Sequence, residues 1–267
     1  MKKKILIPAI AVTLAVLLTA CIPQASPDPA PASPSETVPQ TQHTEVTADP
    51  TLLESPARSA FRQTLQTIHD ELYWPGLPYE ETIQPFDSGT IEDEQFAILD
   101  VDGDGEEELI VSVSNTFVAG MQEVIYGYDP QTDGVRVEYQ NYVAITHYPG
   151  MLKVDASHNQ GYAGDVLWPY VIARYDEGTD TYEDAFIVDA WSKAIADYDP
   201  YMEMPYPEEI DTDQDGYVYL ITENGQRRIL NRADYEAWEA EIFAQQEPLT
   251  ISWQKITTEN IEALCRN

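Results

Sequence analysis

Gln95-Phe-Ala-Ile-Leu99, Asp100-Val-Asp-Gly-Asp-Gly-Glu-Glu-Glu108, Leu109-Ile-Val-Ser-Val113: two short apolar runs enclose nine residues, all acid or glycine except Val101. The flanking runs have the length and β-branched content of strands, and the middle has the composition of a tight loop. A strand–loop–strand hairpin is therefore the first element of the fold that can be read. The same alternation of apolar runs and turn residues continues downstream. Glu123-Val-Ile-Tyr-Gly-Tyr128 and Val135-Arg-Val-Glu-Tyr139 flank Asp129–Gly134, which predicts a hairpin. Tyr142–Ile145, Gly150–Val154, Tyr170–Tyr175 and Ala185–Trp191 are further strand candidates, with a hairpin over Arg174–Asp184. Tyr217–Thr222 and Arg227–Leu230 pair across Glu223-Asn-Gly225, a favoured tight turn.

Helices frame these strands. Phe61, Leu65, Ile68 and Leu72 recur at the helical period within Leu53–Leu72. Asn231 is placed to cap a helix running to about Gln245, with Tyr235, Trp238 and Ile242 on one face, and Thr258 starts a short last helix. The expected fold class is α+β: a mainly antiparallel sheet of consecutive hairpins between an N-terminal helix and C-terminal helices.

The acidic loop carries the sharpest chemistry. Counting from Asp100, carboxylates stand at positions 1, 3, 5 and 9 (Asp100, Asp102, Asp104, Glu108), with glycines at 4 and 6. Alternate residues of a tightly curled loop point inward, and a hard cation such as calcium takes six to eight oxygen ligands. The Glu106 carbonyl is the expected position-7 ligand. Four crowded carboxylates repel one another, so a bound cation would stabilise the fold by linkage. The role expected for calcium is structural. Asp211, Asp213 and Asp215, followed by Gly216 and Tyr217, form a second candidate without a closing carboxylate, since Tyr219 stands at position 9.

The Asp100–Glu108 loop resembles calcium loops of the dockerin and EF-hand kind in its first six positions, but Val111 stands where an EF-hand has its closing Glu. It looks closer to the strand–loop–strand calcium sites of FG-GAP repeats, whose closing acid falls at position 9. The resemblance covers about 16 residues. It implies a calcium-bearing hairpin and no particular activity.

The start of the chain reads as an address. Lys2, Lys3 and Lys4 precede an apolar run from Ile5 to Leu18, and Leu18-Thr-Ala-Cys21 follows. This is similar to a bacterial lipoprotein signal, which implies cleavage after residue 20 and acylation of Cys21 with diacylglycerol and palmitate-type chains. Ile22–Pro50 holds seven prolines, seven Ser/Thr and no aromatic residue, the composition of an extended tether. Residues 51–267 are then a single folded domain, expected on the extracytoplasmic face of the cell membrane. Cys265, the other cysteine, has no intrachain partner once Cys21 is acylated.

Net charge is -33 over the full chain, which disfavours nucleic acid and anionic lipid as electrostatic partners. The sequence contains no HExxH, CxxC, G-x-S-x-G or phosphate-binding glycine loop. A catalytic centre is therefore not expected. His147 and His158 flank Asp155 but sit in no recognised spacing. Aromatics are abundant after Pro50; among them Trp168, Tyr198 and Tyr201 lie in Pro/Asp/Gly-rich context and are expected to be exposed as a ligand face. The leading expectation is a lipid-anchored, calcium-stabilised extracytoplasmic binding domain for an unknown ligand or envelope partner. An envelope-anchored hydrolase using Asp/Glu residues and a structural or assembly lipoprotein are the alternatives.

Overall fold

The fold was obtained as a computed structural model, which describes residues 55–77, 82–159 and 161–264. All of these lie in one compact unit, Thr51–Asn267. The signal, tether, Cys21 and Cys265 fall outside the described residues.

Helix α1 (Pro56–Glu71) begins where Ser55 accepts the Arg58 N–H and Pro56 presets the first turn. Its buried stripe is Ala60, Phe61, Leu65 and Ile68. Leu72 closes it in the left-handed region. The opening hairpin is β1 (Gln95–Leu99) and β2 (Glu108–Val113), followed by β3 (Gln122–Asp129) and β4 (Gly134–Asn141). A second series runs through β5 (Ile145–Tyr148), β6 (Met151–Asp155), β7 (Tyr170–Asp176) and β8 (Thr181–Ser192). The two-residue pair β9 (Tyr198–Asp199) and β10 (Met204–Pro205) precedes β11 (Tyr217–Glu223) and β12 (Gln226–Leu230). Helix α2 (Arg232–Ile242), β13 (Gln254–Lys255) and helix α3 (Thr258–Ala263) complete the chain.

The α+β class holds: antiparallel strands dominate, with one helix before them and two near the end. The strands form two large sheets, ordered β13-β1-β2-β3-β4 and β12-β11-β8-β7-β6-β5. In the first sheet, Leu109, Val111, Val113, Val124 and Tyr126 pack with Phe61, Leu65 and Ile68 of α1 and with Ile256 and Ile261 near the chain end. Ile110 and Ile125, on the opposite face, join Leu152, Val154, Ala173 and Tyr182 of the second sheet in a shared core. The other face of the second sheet (Ile172, Val188, Ala190, Tyr219, Ile221) is covered by Tyr235 and Trp238 of α2. The layers thus run helix, sheet, sheet, helix, and every residue of β2 is buried.

Most boundaries fall within a few residues of the sequence reading, and three differences bear on the topology. The strand expected at Tyr142–Ile145 is β5, Ile145–Tyr148. Its register is set by the turn at Gly150 (φ +67°), which pairs Tyr148 with Met151. The Arg174–Asp184 hairpin and the Ala185–Trp191 strand share one twelve-residue strand, β8. Helix α2 stops at Ile242, short of Gln245. Among the described residues no helix is long and apolar enough to cross a membrane.

Candidate functional site

Backbone amides hold the Asp100–Glu108 loop on its own carboxylates. Asp100 accepts from Gly103 N (2.6 Å) and Gly105 N (3.1 Å). Asp102 Oδ1 accepts from Asp104 N at 2.9 Å and Asp104 Oδ1 from Glu106 N at 2.7 Å. Gly103 and Gly105 take φ of +88° and +97°, a conformation that costs a residue with a Cβ. Glu108 begins β2, opposite Leu99, and its Oε2 accepts Val101 N at 2.7 Å. It faces the second sheet and is 2% exposed. Beneath the loop, Gly150 N donates to Val101 O, and a Cβ on Gly150 would meet Asp102 O at 3.1 Å.

The expected ligands are brought together in two overlapping groups. Carboxylate oxygens of Asp100, Asp102 and Glu108 lie within 4.8 Å of one another, and so do those of Asp102, Asp104 and Asp180. Asp102 belongs to both. Glu106 is exposed and its carboxylate is in neither group; the ligand expected of it is a backbone carbonyl.

Sequence reasoning missed Asp180, which lies 72 residues beyond Glu108 in the turn between β7 and β8. It also missed Glu138. Val137 pairs with Tyr126 and Tyr139 with Ile125, so Glu138 is the extra residue of a β-bulge. Its side chain fills the space above Gly127, where a Cβ would collide with Glu138 Oε1. Arg136 bonds Glu138 Oε1 at 3.0 Å, pairs with Asp180 and donates to the Tyr128 carbonyl. Tyr175 donates to Asp180 Oδ1 at 2.5 Å. Nothing local in the sequence marks Glu138 or Asp180; only the bulge and the stacking of the two sheets bring them here.

The electrostatics follow from burial. Desolvation pushes the Glu108 carboxyl up to about 9, opposed by the Val101 N–H and reinforced by Asp102, Glu138 and Asp104. Glu138 rises to about 8, again chiefly through burial, with Arg136 pulling the other way. Asp102 is raised by burial as well. The Tyr175 hydroxyl lies beside Asp102 but has one proton to give, and it gives it to Asp180. Asp102 Oδ2 is left buried without a hydrogen-bond partner, as are Glu138 Oε2 and the Tyr182 hydroxyl, a costly arrangement for polar groups in a protein interior. A cavity of about 360 Å³ opens on the same cluster, lined by Asp104, Glu107, Glu108, Tyr128, Arg136 and Asp180.

The second acidic loop is built differently. Oxygens of Asp211, Asp213 and Asp215 also lie within 4.8 Å. Asp211, 7% exposed, accepts from Asp215 N, Gly216 N and the Tyr206 hydroxyl, each at 3.1 Å. Arg232 lies 2.5 Å from Asp215 and 4.0 Å from Asp213, so this cluster already has a guanidinium counter-ion. Tyr217, at its position 7, donates its N–H to Asp215 and stands in β11 beneath Arg232.

Trp168, Tyr198 and Tyr201 are exposed at 52%, 50% and 90%. Trp168 is tethered through Nε1 to Ala156 O at 2.7 Å. Tyr201 lines a second cavity of about 360 Å³ with Tyr162, Asp189, Asp199 and Arg227, whose lining includes neither Trp168 nor Tyr198. Burial raises the Asp189 carboxyl there, against the Ala190 N–H and Arg227. Other aromatics of this region, Tyr170, Tyr182, Phe186, Trp191 and Tyr206, are core residues. His147 is buried on Glu123 at 2.8 Å, whereas His158 is exposed beside Ser157, so the two do not converge on Asp155. No protein-family model matches the chain, and no curated protein or solved structure matches it significantly.

Proposed function

We propose that the protein is a lipid-anchored extracytoplasmic binding domain whose acidic hairpin holds a structural calcium ion. The observation that carries the ion is Asp102: a carboxylate 9% exposed, its Oδ2 buried and without a donor, shared by two groups of oxygens at ligand spacing. A hard divalent cation offsets the carboxylates that Arg136, paired with Asp180 and Glu138, does not balance, and favours the ionised form of Glu108 that burial disfavours. The binding surface in this reading is the cavity of Tyr162, Asp189, Asp199 and Tyr201, where aromatic faces and carboxylates suit a polar or cationic ligand. Calorimetric titration of the chain with calcium, with melting curves alongside, tests the ion. Heat of binding and a raised melting temperature, both lost in Asp102→Asn, are expected. Wild-type protein that neither binds nor melts higher with calcium overturns the reading. The anchor is tested separately: labelled palmitate should enter the wild-type protein and not Cys21→Ala, and no label in wild type would refute acylation there.

A second reading, an anchored hydrolase, draws on the raised carboxyls of Glu108 and Glu138, the state that a general acid needs. The binding reading accounts for more. Glu138 is 3% exposed and outside the lining of the cavity at the acidic loop, and Glu108 lines that cavity but is only 2% exposed, so neither acid stands open to a polymer substrate. Turnover of a cell-wall polymer that is abolished by Glu138→Gln would reverse the order.

A further inference from the structure

We propose that the cation of the Asp100–Glu108 loop takes a ligand from the opposite sheet, Asp180, so that ion binding fastens the β7–β8 turn to the β1–β2 loop. This rests on the calcium reading above and goes beyond it, because every ligand expected from the sequence lies between Asp100 and Glu108, whereas Asp180 belongs to the other sheet. The loop's four carboxylates do not form one group: Asp104 is grouped with Asp102 and Asp180, while Asp100 and Glu108 form the other half with Asp102. Beside the carboxylate spacing stand two buried polar atoms without a hydrogen-bond partner: Oδ2 of Asp102, the residue common to both halves, and the hydroxyl of Tyr182, 6% exposed, which neighbours Asp102, Glu108 and Glu138. An ion shared through Asp102 draws oxygens from both sheets.

Asp180 is held for this role from three sides. Its backbone takes φ +57°, unusual for a non-glycine residue, and its N–H donates to Asp176 O at 2.8 Å. The Tyr175 hydroxyl fixes one carboxylate oxygen and Arg136 the other. A carboxylate has about four acceptor sites, so these contacts orient Asp180 and leave lone pairs for a metal. Arg136 also pairs with Glu138, so its single positive charge is shared between the two acids that the hairpin itself does not contribute. The loop already rests on the second sheet through Gly150 N to Val101 O, and Gly150 O in turn accepts Tyr175 N at 3.0 Å. The ion adds a bond at the rim of an interface whose centre is apolar.

The test uses the full chain in detergent micelles, with calcium alone as the probe. Affinity is measured for wild type, Asp180→Asn and the control Glu183→Gln, whose exposed side chain lies on β8 outside the cluster. Hydrogen exchange is followed at the Thr179, Asp180 and Thr181 amides of wild type with and without calcium. Asp180→Asn should weaken binding about tenfold, equivalent to about 1.4 kcal/mol, with Glu183→Gln unchanged, and calcium should slow exchange at the turn. Wild-type binding that Asp180→Asn leaves within about twofold, with turn amides indifferent to calcium, overturns this proposal and spares the hairpin site. Absence of binding by wild type overturns both. Should Asp180→Asn fail to fold, the exchange experiment on wild type decides alone.

Discussion

Glu108 shows how a single position couples fold to chemistry. Its pairing with Leu99 turns it toward the second sheet, where water is excluded and other acids converge. Burial pushes its carboxyl up to about 9, against 4.5 for an ordinary glutamate. The folded state therefore binds the proton more tightly than the unfolded chain. Stability from this source is fully present below about 4.5 and is lost as pH rises toward 9. Glu138 acts in the same direction up to about 8. In EDTA, the melting temperature should fall across that window, by on the order of 2–4 °C for each kcal/mol lost in a domain of this size. Glu108→Gln should flatten the fall, and calcium should abolish it by stabilising the ionised form. An EDTA melting temperature that rises from pH 5 to pH 9 would contradict the burial of Glu108 as an acid. Asp100, Asp102, Asp104 and Glu108 were legible in the sequence because their spacing within one loop is the signal. Glu138 and Asp180 were not: one enters through a bulge and the other through sheet stacking, and neither leaves a local pattern.

At the scale of elements, hairpins were the legible feature, since apolar alternation and turn residues sit side by side in the chain. Where a strand's place depends on a distant partner, the reading slipped. Gln254–Lys255 is a strand only because it adds to the edge of β1, with Lys255 opposite Gln95, and two residues carry no periodicity. Helix α2 was legible from its cap. Asn231 accepts the Asp234 N–H at 2.9 Å and its Nδ2 donates to Asp234 Oδ2 at 2.9 Å. The helix then docks through Tyr235, stacked on Tyr219 with ring centroids 4.2 Å apart and planes at 4°. The Tyr235 and Tyr170 hydroxyls both donate to Glu239, at 2.8 and 3.0 Å. Docking does most to hold the helix, so removal of the cap should be tolerated. Asn231→Ala is expected to cost about 1 kcal/mol and to speed exchange of amides in the first turn without loosening Tyr235. A change in the near-ultraviolet signal of the stacked tyrosines would show instead that the cap sets the docking angle.

For the molecule as a whole, the sequence reading expected one mainly antiparallel sheet of consecutive hairpins, and the structure divides the strands between two stacked sheets. The clue was the unbroken apolar run Leu109-Ile-Val, which signals a strand covered on both faces rather than one with a solvated side. One cover is α1 and the other is the second sheet. This division makes two core truncations of similar size distinguishable. Leu152, fully buried, belongs to the core between the sheets; Leu65, equally buried, belongs to the layer between α1 and the first sheet. Either leucine replaced by alanine should cost about 2–5 kcal/mol, depending on how far the cavity collapses. Their effects on calcium should differ. If the ion draws oxygens from both sheets, loosening the interface between them lets Asp180 drift from Asp102. Leu152→Ala should then bind calcium several-fold more weakly than wild type, while Leu65→Ala, destabilised by a similar amount, should bind it normally. Titration of both variants well below their melting temperatures separates the two effects. Equal affinities would place the ion within the first hairpin alone and leave the apolar core as the bond between the sheets.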